Sequence, residues 1–155
     1  EIRLSLVGSE MCIRDRIYIN NDQARNAMLD YDAYYKAVNG QVNDLFYYYR
    51  EQAALKARQY QRALDDIVKA VELSPKDLTY RAEHAVVNLR VGRYEESMKI
   101  LNEILKDEPK YGEAYRLLGL CQIQLKKTDE ACGNFNKAKE LGDPNVDELI
   151  KKYCK

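Results

Sequence analysis

Histidine is almost absent from the chain. His84 stands alone among 155 residues, so no set of imidazoles is available to a metal, and only one side chain can shuttle protons near neutral pH. The four cysteines, Cys12, Cys121, Cys132 and Cys154, make no C-x-x-C pair, which argues against zinc. Net charge is missing too: 25 Lys and Arg balance 25 Asp and Glu, leaving no overall field to gather nucleic acid or anionic lipid. No apolar run approaches the roughly 18 residues that would span a bilayer, and no cationic start with an apolar stretch reads as an export signal. Phosphate-cradling and nucleophile motifs of the types G-x-x-x-x-G-K-S/T, G-x-G-x-x-G and G-x-S-x-G are lacking. No catalytic residue, cofactor or metal is therefore expected, and partner choice must come from a local surface. What the chain does have is 46% apolar residues, enough for a core.

The opening EIRLSLVGSEMCIRDR, residues 1–16, shows no period and no cap. Its LVGSEMCIRD stretch resembles the translated read-through of a sequencing-library adapter. The segment is read as foreign to the protein, the alternative being an ordinary disordered N-terminus. On this reading the authentic protein is expected to begin upstream of Ile17.

Beyond residue 40 the chain repeats itself. RQYQRALDDIVKAVELSP, GRYEESMKILNEILKDEP and KKTDEACGNFNKAKELGDP align, with Tyr60 and Tyr94 separated by 34 residues and Pro75 and Pro109 by the same step. Three further series share it: Ala63, Ser97, Ala131; Ile67, Leu101, Phe135; and Ala70, Ile104, Ala138. Pro144 comes one residue late because Gly142 is inserted. Apolar positions recur at three and four residues, so each unit reads as two helices, closed by proline, with Gly92 in the middle unit's inner turn. Helices are expected at 44–56, 60–73, 78–91, 94–107, 112–125 and 128–141.

The third unit, EAYRLLGLCQIQLKKTDEACGNFNKAKELGDP, resembles a tetratricopeptide repeat, with Tyr115, Leu118, Gly119, Ala131, Phe135 and Ala138 at the family's aromatic, Leu-Gly and small positions. Small residues let paired helices approach closely and the aromatic fills the gap beyond. His84-Ala85 and Arg50-Glu51 depart from Leu-Gly in the other two units. The resemblance implies an all-α fold, a right-handed α-solenoid of helix-turn-helix hairpins. Its parts are 17–43 as the second helix of a truncated upstream repeat, three repeats at 44–77, 78–111 and 112–145, and a capping helix in 146–155. In the first part, Ala27, Tyr31 and Tyr34 or Tyr35 form the inner face. Lacking a stacking partner, that edge is expected to promote self-association.

The same resemblance implies a scaffold that binds a protein or peptide in a concave groove lined by the first helices. Groove positions fall on Tyr48, Gln52, Leu55 and Lys56, on Val86, Leu89 and Arg90, and on Arg116, Leu120 and Ile123. The apolar ones could equally pack the first helices together. A clamp for a terminal carboxylate is not expected, because Tyr48, Gln52, Glu83, Glu113 and Leu117 hold the corresponding places. The groove instead suits a peptide with apolar anchors and acidic groups. Two rival roles are an accessory arm of an enzyme whose catalytic domain lies upstream, and a structural component docking through the convex face. His84 reads as a structural histidine, Asp65-Asp66 and Glu95-Glu96 as solvated faces, and the cysteines mainly as small apolar packing residues. A disulfide among them would indicate export. Of the consecutive Tyr47, Tyr48 and Tyr49, at most two can be core, since successive helical positions face different directions.

Overall fold

A computed structural model describes residues 21–154, with backbone alone for Asn21 and Asp22. The segment 1–16 lies outside the described residues. Eight helices and no strand are found among the described residues: α1 (Asn21–Ala37), α2 (Asp44–Lys56), α3 (Tyr60–Leu73), α4 (Leu78–Arg90), α5 (Tyr94–Asp107), α6 (Gly112–Gln124), α7 (Thr128–Glu140) and α8 (Asp147–Tyr153). They fall into two compact units, one ending at Ser74 and the other beginning at Pro75. The first holds α1 to α3. The second holds the hairpins α4/α5 and α6/α7 and the short α8.

The 34-residue period recurs in the backbone. Asn43 and Asp77 cap α2 and α4, their side chains accepting from Phe46 N at 3.0 Å and Tyr80 N at 3.1 Å. At the other ends of the first helices, Arg58, Gly92 and Lys126 take the left-handed conformation, with φ of 59°, 82° and 61°. There Gln59 N, Arg93 N and Lys127 N reach back to the carbonyls of Ala54, Asn88 and Gln122 at 2.8, 2.9 and 2.8 Å, satisfying acceptors the helix leaves open. This turn costs each of α4 and α6 one residue relative to the expected ends. Glycine was the visible signal only at Gly92; the hairpin imposes the same turn on Arg58 and Lys126. The second helices α3 and α5 end differently, leaving the helix at Ser74 and Glu108, the residues before the prolines. The inserted Gly142 (φ 81°) instead gives α7 a left-handed ending, with Asp143 N on the Ala138 carbonyl at 3.0 Å.

All three series of core positions are sealed. Ala63, Ser97 and Ala131, then Ile67, Leu101 and Phe135, then Ala70, Ile104 and Ala138 are each 0% exposed. Within the second unit, Ile100, Leu101 and Ile104 of α5 pack with Ala82 and Ala85 of α4 and with Ala114, Leu117, Leu118 and Cys121 of α6. A Cβ on Gly119 would sit 2.4 Å from Phe135 Cε1, so α6 and α7 meet at a distance only glycine allows. In the neighbouring hairpin, Ala85 holds that register, and Ser97 Oγ donates to its carbonyl at 2.7 Å.

The cysteines divide. Cys121 is a buried free thiol, as a packing residue should be. Cys132 and Cys154 are joined in a disulfide, with Cα atoms 5.6 Å apart, that ties α7 to the residue following α8. The packing reading of these two is thereby corrected, because the fold brings together positions 22 residues apart in sequence. α8 lies over Phe135 through Val146, Leu149, Ile150 and Tyr153.

The two glycines of the α6/α7 hairpin should respond oppositely to the same added methyl. Gly119→Ala should destabilise by about 1 to 3 kcal/mol through overpacking. Gly133→Ala, on an open face of α7 with nothing within 4 Å, should stabilise by up to about 1 kcal/mol through helix propensity. Urea titration of both variants checks this, and equal signs would contradict the packing described.

Candidate functional site

In the first unit, the residues standing in place of Leu-Gly are accommodated by charge and aromatic rings. Arg50 is held against α3 by a two-pronged pair, Nε to Asp66 Oδ2 at 2.8 Å and Nη2 to Oδ1 at 2.6 Å. Its guanidinium carbon lies 5.2, 5.1 and 5.7 Å from the ring centroids of Tyr35, Phe46 and Tyr47. Tyr31, Tyr34 and Tyr35 of α1 all pack around Phe46, at 5.5, 5.7 and 6.0 Å between centroids. Asp32 approaches Arg50 at 3.7 Å and accepts from Arg62, extending the network across all three helices. Glu51 is fully buried at the glycine register and accepts from Gln52 at 2.8 Å.

Asp66 corrects one expectation. Only Asp65 of the adjacent acids is solvated; Asp66, about 100° further round the helix, is 3% exposed and faces Arg50. Burial lifts the Asp66 carboxyl above its usual range, against the pull of Arg50. For Arg50 burial works downward and is outweighed by the Asp66 contact, leaving the guanidinium raised. The fork of two short bonds, with a guanidinium that keeps its proton, makes it an ion pair.

The expected groove residues of this unit lie along α2. Tyr48, Gln52 and Leu55 are half-buried and Lys56 is exposed. Tyr48 rests against Tyr49, with centroids 5.3 Å apart. The inner face of α1 is covered, with Ala24, Ala27, Met28 and Tyr31 buried; the large apolar side chain left outside is Leu29, at 67%.

In the second unit, α4 carries Val86 and Leu89, half-buried, and Arg90, exposed; α6 carries Arg116, Leu120 and Ile123, all half-buried. Val86, Leu89 and Leu120 lean on the cluster shared by α4, α5 and α6, while Ile123, with Leu120, leans on the Phe135 cluster. These apolar residues pack against neighbouring helices while part of each stays open to solvent. Arg116 is otherwise engaged. Its Nε donates to Asp143 Oδ2 at 2.9 Å and its Nη2 to Glu113 Oε1 at 2.7 Å. The Asp143 side chain is 3% exposed and also accepts from Asn145 N at 2.8 Å, so Arg116 staples α6 to the turn after α7. Tyr111 donates to the other Glu113 oxygen at 2.7 Å. Burial first, and then the Glu113 bond, push the Tyr111 hydroxyl far up, keeping it a donor.

Other reactive groups are quiet. Burial raises the Cys121 thiol, whose sulfur sits 3.4 Å from Ser97 Oγ, so it stays protonated. His84 is half-buried, and burial lowers its pKa despite Glu96 nearby.

The family described as "Anaphase-promoting complex, cyclosome, subunit 3" matches residues 20–104, and the one described as "Tetratricopeptide repeat" matches residues 83–146. Among curated proteins, the chain is 31% identical over 101 residues to heat shock protein STI1 of Saccharomyces cerevisiae, covering 63% of this chain and 17% of that protein. It is 29% identical over 99 residues to small glutamine-rich tetratricopeptide repeat-containing protein 2 of Mycosarcoma maydis, covering 64% and 28%. The chain thus spans less than a third of either relative. Among solved structures, YrrB, described as a TPR protein with an unusual peptide-binding site, superposes with a TM-score of 0.73 at 19% identity, covering 89% of this chain and 70% of that one. At that identity the likeness establishes the fold.

Two predictions follow from the charged groups. Arg116→Ala should cost about 3 kcal/mol by leaving Asp143 buried without its partner, whereas Arg90→Ala should stay within about 0.5 kcal/mol; chemical denaturation distinguishes them. For His84, the unfolded chain takes up a proton first as pH drops below about 6.5, while the fold holds the ring neutral. Stability should therefore fall on acidification from that point, and His84→Leu should flatten the profile of melting temperature between about pH 6.5 and 5.5.

Proposed function

Since the chain belongs to the tetratricopeptide repeat family, we propose that it is an interaction scaffold seating a peptide or protein segment along the first helices of its hairpins, with no catalysis of its own. One observation carries this reading. On α4 and α6, Val86, Leu89, Leu120 and Ile123 keep part of their apolar surface open while Ala85, Val87, Leu117, Leu118 and Cys121 on the same helices are buried. Arg90 stands exposed at the end of α4, and Lys56 likewise ends α2 in the first unit. A ligand with apolar anchors and acidic groups suits these faces. Arg116 contributes through its alkyl stem and by shaping α6, its charge being taken by Asp143 and Glu113. A terminal-carboxylate clamp is disfavoured further: Leu117 is buried, and Glu113 is an acid already bonded to Tyr111 and Arg116.

No helix among the described residues is long and apolar enough to cross a membrane. Nucleic acid is not the partner in this reading, because 25 positive and 25 negative side chains provide no net attraction. Self-association through the inner face of α1 is not part of the proposal, since Ala24, Ala27, Met28 and Tyr31 there are buried; Leu29, exposed on the other side of the helix, is the apolar side chain it leaves open.

A second reading, docking through the outer helices, is favoured by a cleft of about 580 Å³ between α5 and the α6–α7 turn, where Met98 and Leu125 are ringed by Lys99, Glu103, Lys106 and Lys127. The two are separable. Phage-displayed peptides selected on the immobilised chain should be acidic with spaced apolar residues. Their binding should weaken at least about tenfold, or 1.4 kcal/mol, in Arg90→Glu, and persist in Lys106→Glu. Binding lost in Lys106→Glu and kept in Arg90→Glu would transfer the role to the outer cleft.

A further inference from the structure

We propose that the Cys132–Cys154 disulfide is a thiol-exchange site that latches α8 and is opened by low-molecular-weight thiols of the glutathione class. The bond joins the second turn of α7 to the residue just after α8. Both cysteines keep partial exposure, in contrast to the buried Cys121. They form part of the wall of a cleft of about 560 Å³ that also takes in Asp129, Asn136, Lys152 and Tyr153. A small thiol can therefore reach the sulfurs while the protein is folded, and a rim bearing Asp129 and Lys152 accepts a zwitterion.

What the bond secures is otherwise lightly held. α8 has seven residues, too few to be stable as a helix by itself. Val146, just before it, is fully buried, but Leu149, Ile150 and Tyr153 are only partly covered where they meet the Phe135 cluster. The ion pair from α7, Lys139 to Asp147 at 2.9 Å, has side chains 61% and 60% exposed, and such surface pairs contribute little.

The exchange is balanced by the small thiol alone. A thiolate attacks one sulfur, the Cys132–Cys154 bond breaks, and the other cysteine leaves as a thiolate and takes up a proton. A second thiolate then attacks the mixed disulfide and releases the small-molecule disulfide and the second cysteine. Two small thiols are oxidised and one protein disulfide is reduced. With the tie gone, α8 frays and bares the face of Phe135 that it covers. This inference does not depend on the peptide-binding reading.

The test treats the oxidised full chain with millimolar reduced glutathione in the absence of denaturant, followed by alkylation and peptide mapping. Cys132 and Cys154 should become labelled together, with Cys121 labelled only after denaturant is added. Hydrogen exchange at residues 147–153 should accelerate at least about tenfold while α6 stays protected. The Cys132→Ser/Cys154→Ser variant should show that fast exchange without any thiol. A bond that yields only in denaturant, cysteines already free in oxidised protein, or an α8 equally protected after reduction would each overturn the proposal.

Discussion

The steric demand of a close helix crossing, seen most plainly between Gly119 and Phe135, is the constraint that each hairpin must meet. A full-sized aromatic ring at 0% exposure can occupy the α6/α7 crossing only because the facing helix presents no Cβ there. The same register holds Ala85 in the preceding hairpin and Glu51 in the one before. Each enlargement comes with its own surroundings. Beside Ala85, the crossing is closed by Ser97 donating to its carbonyl, with Leu101 in place of the phenylalanine. Beside Glu51, the Arg50–Asp66 pair and the rings gathered about Phe46 occupy the hairpin. One period of 34 residues thus carries three solutions to one steric demand.

Much of this could be read from the residues themselves. A buried series such as Ile67, Leu101 and Phe135 repeats because helix crossings repeat, and side-chain volume is written directly in the sequence. Prolines marked the ends of the second helices for a similarly local reason. Other features depend on distances no local pattern encodes. Lys126 and Arg58 adopt left-handed backbone because the hairpin must reverse there, although neither residue favours it. Asp66 looked like half of a solvated pair until Arg50, 16 residues away, was found facing it. Arg116 had the position of a groove cation, but Asp143 arrives from 27 residues downstream and takes its charge. The disulfide likewise needed the path of the chain around α7 before Cys132 and Cys154 could meet. For the candidate residues, then, the helix each one occupies was legible and the remaining freedom of its side chain was not.

Charge in the interior also distinguishes the hairpins from one another. The residues corresponding to Arg50 in the later repeats are His84 and Leu118, and those corresponding to Asp66 are Ile100 and Asn134. If α2 paired during folding with α5 or α7 instead of α3, its guanidinium would meet Ile100 or Asn134 and be buried without an anion. Repeats of the same architecture joined in one chain are prone to such misassembly. Arg50 and Asp66 therefore give one hairpin's two halves a charge match that the corresponding pairs His84/Ile100 and Leu118/Asn134 do not offer.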